Sequence, residues 1–226
     1  MTIKFSRVIL PLAFLAIFFV IPAAAQCGEK DDDCQITAQT KKIQMNPSDG
    51  EAYYTRGLAY KHKEQYTLAI KDFDKYLSFP ITNKVYQADG YRERAWARHK
   101  ANDDAGALAD LAKAIQISPE EHEAYYSRGM IYRDMKEYTK AVTDFSAYIG
   151  LNAAKPEFLA DGYYQRAWVY NATAKYDMAV KDLSTAIGYD ATKDFYFTER
   201  AYAYRKLGKT ALADADEAKA AALKKP

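Results

Sequence analysis

One arginine recurs five times along this chain at nearly even spacing, and that recurrence leaves few folds open. It stands at Arg56, Arg94, Arg128, Arg166 and Arg200, with intervals of 38, 34, 38 and 34 residues. A glycine or alanine follows each one: Gly57, Ala95, Gly129, Ala167 and Ala201. Thirteen residues after the first four arginines come Ala69, Ala107, Ala141 and Ala179, and three further on Asp72, Asp110, Asp144 and Asp182. Each aspartate precedes Phe or Leu. On a longer scale, residues 51–79 and 123–151 agree at 13 of 29 positions with an offset of 72. The segments ADGYRERAW at 88–96 and ADGYYQRAW at 160–168 share that offset. Self-similarity at a fixed period marks a repeat architecture.

The spacing inside one unit is helical. Tyr53, Gly57 and Tyr60 fall on one face, and Ala69, Phe73, Tyr76 and Leu77 on a second stripe. Lys63-Glu64-Gln65 breaks the pattern between them. Each unit therefore reads as an antiparallel helix pair. The small residue after the arginine lets the second helix approach. A lone pair cannot bury its apolar face, so pairs must stack. Four extra residues precede the second and fourth units, at 79–87 and 151–159. That is about one helical turn, so the first helices of these two units are expected to be longer by a turn. Residues 34–45, before Asn46-Pro47, read as a lone second helix capping the N-terminal edge. In the fifth unit Ala211-Leu212-Ala213-Asp214 matches Ala107-Leu108-Ala109-Asp110 if two residues are deleted. This alignment predicts a shortened turn there, with Ala215 in place of the usual Phe or Leu.

An aromatic, a small residue, an aromatic, Ala and two further aromatics stand in the third unit as Tyr125, Gly129, Tyr132, Ala141, Phe145 and Tyr148. Pro47 and Pro119 supply a closing proline. In this order and spacing the chain resembles the tetratricopeptide-repeat (TPR) family over about residues 34 to 226. The resemblance implies an all-α, right-handed superhelical solenoid of about five helix-turn-helix units with an N-terminal half-unit. It divides the chain into residues 1–25, residues 26–46 with the capping helix, and an array over 47–226. Arginine stands where the family usually has leucine.

The N-terminus has the form of a secretory signal. Lys4 and Arg7 precede 18 uncharged residues from Val8 to Ala25, and Ala23-Ala24-Ala25 suits peptidase cleavage before Gln26. Gln26 directly before Cys27 argues against a lipidated cysteine. An uncleaved anchor is the alternative, because 18 apolar residues approach the minimum for a span. Cleavage leaves 30 basic against 30 acidic residues. Such a balance points away from nucleic acid and, once the signal is removed, from a membrane surface. Cys27 and Cys34 are the only cysteines. In an exported chain they are expected to form a disulfide, worth about 2–3 kcal/mol by chain entropy.

Chemistry-bearing patterns are sparse. His62, His99 and His122 show no metal-ligand spacing, so neither a metal nor a cofactor is expected. Gly208-Lys209-Thr210 resembles the end of a phosphate loop, but Ala203 stands where that loop needs glycine. Asp31-Asp32-Asp33 lacks the alternation of a calcium loop. The arginine row and the aspartate row recur together and read as structural ion pairs between first and second helices. No catalytic constellation emerges.

The resemblance implies that the first helices line a concave face. Three rows then face a ligand: Tyr54, Arg92, Tyr126, Tyr164 and Thr198; Leu58, Trp96, Met130, Trp168 and Tyr202; Lys61, His99, Arg133, Asn171 and Arg205. Both tryptophans fall in the middle row. Interleaved aromatic and basic side chains suit a peptide or a sugar. The lysine and asparagine clamp that some TPR proteins use for a C-terminal carboxylate is absent, because its places hold Tyr54, Leu58, Glu93, Glu123 and Ser127.

The expected function is a non-enzymatic adaptor or scaffold, periplasmic or secreted, that docks a protein or peptide segment in the groove. A saccharide or peptidoglycan module using the groove aromatics, or a self-assembling envelope protein, is the alternative. Similarity to small exported bacterial TPR proteins implies envelope assembly or presentation of hydrolases to regulators. N-terminal sequencing of protein recovered from outside the cytoplasm is expected to start at Gln26; a start at Met1 contradicts cleavage.

Overall fold

A computed structural model describes Cys27, residues 31–152 and residues 156–224. The signal-like segment, with Lys4, Arg7 and the cleavage position after Ala25, lies outside the described residues. Among those described, no helix is long and apolar enough to cross a membrane.

The described chain forms eleven helices. A single helix, α1 (Asp32–Met45), comes first. Five pairs follow: α2 (Gly50–His62) with α3 (Tyr66–Leu77), α4 (Lys84–Lys100) with α5 (Asp104–Ile117), α6 (His122–Asp134) with α7 (Tyr138–Leu151), α8 (Pro156–Ala172) with α9 (Tyr176–Tyr189), and α10 (Asp194–Lys206) with α11 (Thr210–Leu223). The first helices α4 and α8 have 17 residues, against 13 in α2, α6 and α10. The extra residues thus add one turn to each.

Each pair turns at one kind of bend. Eight residues beyond the arginine the backbone enters the left-handed region, at Glu64, Asn102, Lys136, Ala174 and Gly208, with φ between 57° and 72°. The next amide closes the helix end by donating five residues back, as in Gln65 to Tyr60 and Lys209 to Tyr204. Gly208 is therefore a helix-terminating residue after α10, and Gly208-Lys209-Thr210 has no strand before it.

The turn position also corrects the reading of the fifth unit. Gly208, Ala213 and Asp216 stand at the same distances from Arg200 as Glu64, Ala69 and Asp72 from Arg56. The turn is not shortened. The alternation Ala213-Asp214-Ala215-Asp216 had offered two registers, and the ion pair selects Asp216. Glu217, not Ala215, takes the place of Phe or Leu, and it is exposed. A charged residue suits the outer helix of the terminal pair, which has no following unit to cover it.

Packing between the helices of a pair is matched in volume. Gly57 faces Phe73 and Gly129 faces Phe145. A Cβ on either glycine would sit 2.9 Å from the ring. Ala95 and Ala167 stand at the same place in the pairs that carry the smaller Leu111 and Leu183. All four large residues are fully buried. The sum of the two sizes is conserved along the array, as dense packing requires.

The recurring arginine ties three helices together. Nε and Nη2 of Arg56 donate to the two carboxylate oxygens of Asp72 at 2.7 and 2.8 Å. Arg94–Asp110, Arg128–Asp144, Arg166–Asp182 and Arg200–Asp216 repeat this bidentate geometry. The remaining Nη1 reaches back to the preceding second-type helix: Arg56 to Thr40, Arg94 to Asp74, Arg166 to Ser146 and Arg200 to Ser184. In the third unit Ala112 stands at that place and offers no acceptor. Aromatic rings cover the guanidinium, with Tyr53 and Tyr60 about Arg56 and Tyr163 and Tyr170 about Arg166. The aspartates are buried.

At the N-terminal edge Cys27 and Cys34 form a disulfide with Cα atoms 5.6 Å apart. The acidic run is used locally. Asp31 caps α1 by accepting from the Cys34 amide, Asp32 meets His62, and Asp33 pairs with Lys63.

Arg128→Ala leaves the Asp144 side chain, 4% exposed, with a buried charge and no counter-ion. Removing one member of such a pair costs about 3–5 kcal/mol, and the partial exposure of Arg128 favours the lower end. Urea unfolding is expected to show a loss of about 3 kcal/mol; an unchanged midpoint contradicts the structural role.

Candidate functional site: the concave face

Consecutive first helices touch one another, α2 with α4, α4 with α6, α6 with α8 and α8 with α10, while consecutive second helices do not. The first helices must therefore form the inner, tighter wall of the superhelix. That wall is the candidate site.

Two hollows lie on it. One, of about 250 Å³, is lined by Trp96, His99, Tyr126, Met130, Arg133 and Asp134 among others. The other, of about 340 Å³, is lined by Trp168, Asn171, Ala172, Thr198, Glu199 and Tyr202. Each centres on one tryptophan. The sequence rows thus converge in space for Trp96, His99, Tyr126, Met130 and Arg133, and again for Trp168, Asn171, Thr198 and Tyr202. The tryptophans are half-buried, and Tyr202 is 46% exposed.

The row of polar residues is engaged within the molecule. Lys61 pairs with Glu93 on the next first helix, and Arg133 Nη1 donates to Gln165 on the next at 2.7 Å. Asn171 donates to the Glu199 carboxylate at 3.0 Å. His99 Nδ1 lies 2.6 Å from Asp104, with Nε2 3.8 Å from Asp134. Arg205 pairs with Asp214 and Glu217 on α11. Lysine and arginine also cover the indoles: Lys61 and Lys100 lie over Trp96, and Arg133 over Trp168. The cations therefore form a ladder between neighbouring helices rather than a free basic strip.

Tyr54, Arg92, Tyr164 and Leu58 are likewise committed. The Tyr54 hydroxyl donates to Asp89, which also accepts from Arg92. Burial works against the Arg92 charge, but Glu93 and Asp89 more than offset it and hold the guanidinium protonated. Tyr164 packs against Phe195 and Tyr196, and Leu58 joins the cluster of Phe73 and Ala97. The sequence rows omitted the acceptors Asp89, Glu93, Gln165 and Glu199. The equal 32-residue spacing of Lys61–Glu93 and Arg133–Gln165 is the signal that could have found two of them. Among the described residues no cluster of His, Cys, Asp or Glu could hold a metal ion.

The tyrosines on this wall are kept neutral. Burial, then Asp89, pushes the Tyr54 phenol far above its usual range, and burial with Asp161 does the same to Tyr126. Tyr196 is pushed up to about 12, chiefly by burial. In the unfolded chain these phenols ionise near pH ~10. The folded state thus holds its protons where the unfolded state releases them. Stability is intact below pH ~10 and falls as pH rises from about 10 through about 12. Titration at 295 nm is expected to leave a fraction of tyrosines un-ionised at pH ~11 in native protein but not in urea; simultaneous native ionisation of all tyrosines near pH ~10 contradicts this.

A family model for the tetratricopeptide repeat matches residues 50–79, 122–155 and 160–193. Among curated proteins none matches the sequence. Among solved structures the chain is similar to MamA, at 24% identity and TM-score 0.62, over 71% of this chain and 90% of that one. It also resembles MamA residues 41 to the end from Desulfovibrio magneticus RS-1, at 15% identity and TM-score 0.68, over 77% and 94%. YrrB, described as a TPR protein with an unusual peptide-binding site, aligns at 22% identity and TM-score 0.57, over 71% and 79%. At these identities the likenesses speak to the fold. The repeat matches, the five helix pairs and the arginine-keyed stacking agree: the chain contains tetratricopeptide repeats and takes the all-α solenoid fold of such repeats.

Proposed function

We propose that the protein is an exported adaptor that docks an extended peptide segment along its concave wall. The observation that carries this reading is the pair of tryptophan-centred hollows on the inner face. Each offers an apolar floor with polar groups at its margin, the composition of sites that anchor one side chain and orient the backbone around it. Trp96 and Trp168 are 72 residues apart, so the two hollows stand at equivalent places in the two halves of the array. One segment could place anchors in both. The peptide-binding site named for YrrB supports a peptide ligand, and the signal-like N-terminus together with the Cys27–Cys34 disulfide supports export.

A peptide is favoured over a saccharide by the indole faces. Sugar stacking needs an open ring face, and Lys61, Lys100 and Arg133 already lie over these rings.

The test is a pull-down from an envelope extract of the native host. Protein spanning 26–226 is compared with a Trp96→Ala/Trp168→Ala variant that keeps its helical circular dichroism. A protein captured by wild type and lost with the variant is expected. Equal capture by both moves the docking surface elsewhere, and capture of peptidoglycan fragments alone favours the saccharide.

A further inference from the structure

A further cavity lies away from the tryptophans. A cleft of about 1030 Å³ opens where α2, the end of α3 and the start of α4 meet, and Tyr76, Phe79, Tyr86, Glu51 and Asp89 face into it. Its described lining holds two carboxylates and no lysine, arginine or histidine. Tyr86 is 64% exposed. Asp89 is engaged by Tyr54 and Arg92, while Glu51 is exposed and has no ion pair among the described residues.

The corresponding place in the other half of the molecule carries a ring where this one has Gly50. Seventy-two residues on, His122 replaces Gly50, Phe158 replaces Tyr86 and Leu151 replaces Phe79, while Tyr148, Glu123 and Asp161 keep their places. There the imidazole of His122 stands among the rings, with centroids 5.6 Å from Tyr148 and 5.4 Å from Phe158. Gly50 has no side chain; the Phe79 ring lies over it, 3.2 Å from where a Cβ would stand, and the aromatic box of Tyr76, Phe79 and Tyr86 opens beside that ring.

What such a box holds is displayed elsewhere in the chain. Five times over, a guanidinium sits over tyrosine or phenylalanine rings and pairs with a carboxylate, as Arg56 does with Tyr53, Tyr60 and Asp72. At the cleft itself Lys75 already lies 5.0 Å over the Phe79 ring, which shows that this ring draws a cation. A planar guanidinium suits stacking and bidentate pairing better than an ammonium.

We propose that the cleft at Gly50 is a docking pocket for an arginine side chain of a basic peptide, stacked against Tyr76 and Tyr86 and paired with Glu51. This goes beyond the tryptophan hollows and does not require them to be occupied. The volume exceeds one side chain, so neighbouring residues of the peptide enter as well.

The test is methyl and indole NMR on the full mature chain. The probe is an acetylated, amidated nonapeptide with one central arginine in a Gly/Ser background, beside its citrulline and glutamate counterparts. The Ile81 methyl, which lines the cleft, reports this site; the Trp96 and Trp168 indole N–H signals report the hollows. The arginine peptide is expected to shift Ile81 saturably, with at least tenfold weaker binding for the citrulline and glutamate peptides. Glu51→Gln, an exposed change, is expected to weaken binding several-fold. Gly50→His, which installs the ring found at His122, is expected to weaken it at least tenfold while helical circular dichroism is kept. An Ile81 shift of equal affinity with all three peptides, or undiminished in both variants, overturns the proposal. So does an arginine peptide that moves only the indole signals, and that last outcome leaves the groove reading standing.

Discussion

Everything in this array hangs on a guanidinium that touches three helices at once. Its fork clasps the aspartate of its own second helix, its third nitrogen reaches the second helix before, and aromatic rings sandwich its faces. A leucine at this place would bury apolar area without fixing direction. The arginine fixes the angle between a pair and its predecessor, because bidentate geometry tolerates little rotation. The abundance of tyrosine follows from the same choice. Tyr60, Tyr132, Tyr170 and Tyr204 stand one turn after the arginine, where an amphipathic ring can cover the charge and still show its hydroxyl to water.

Much of this was legible in the residues. The paired recurrence of Arg and Asp announced an ion pair between helices, and the four-residue insertions announced the longer α4 and α8. Two things were not. The hydroxyls of Thr40, Ser146 and Ser184 lie at different intervals from their arginines, 16 or 20 residues, because the longer helices intervene. The register of α11 was hidden by an alternating Ala-Asp run. The first failure came from contacts across units, where the local period carries no information, and the second from a local period that fits two registers until the Arg200–Asp216 pair selects one.

The site was harder to read for a related reason. Nine residues of the three concave rows meet in two hollows. Their charges could not be read from one row alone. Lys61, Arg133 and Asn171 find partners on the next first helix, so a row that looks basic in sequence is balanced in three dimensions. The cleft at Gly50 was invisible as well, because it is framed by α2, the end of α3, residues 80–83 and the start of α4, and no local motif records that meeting.

The third unit departs from its siblings in one atom group. Ala112 supplies no acceptor to Arg128, and α5 packs less closely on α6 than any other consecutive helices. The α5–α6 junction thus divides the stack into two blocks, each containing one elongated helix. The Trp96 hollow straddles that junction, with Trp96 and His99 on one side and Tyr126, Met130 and Arg133 on the other, so movement there alters this hollow together with the separation of Trp96 from Trp168. Under the docking proposal, a change at that junction alters the first hollow and its distance from the second, which lies wholly within the later block.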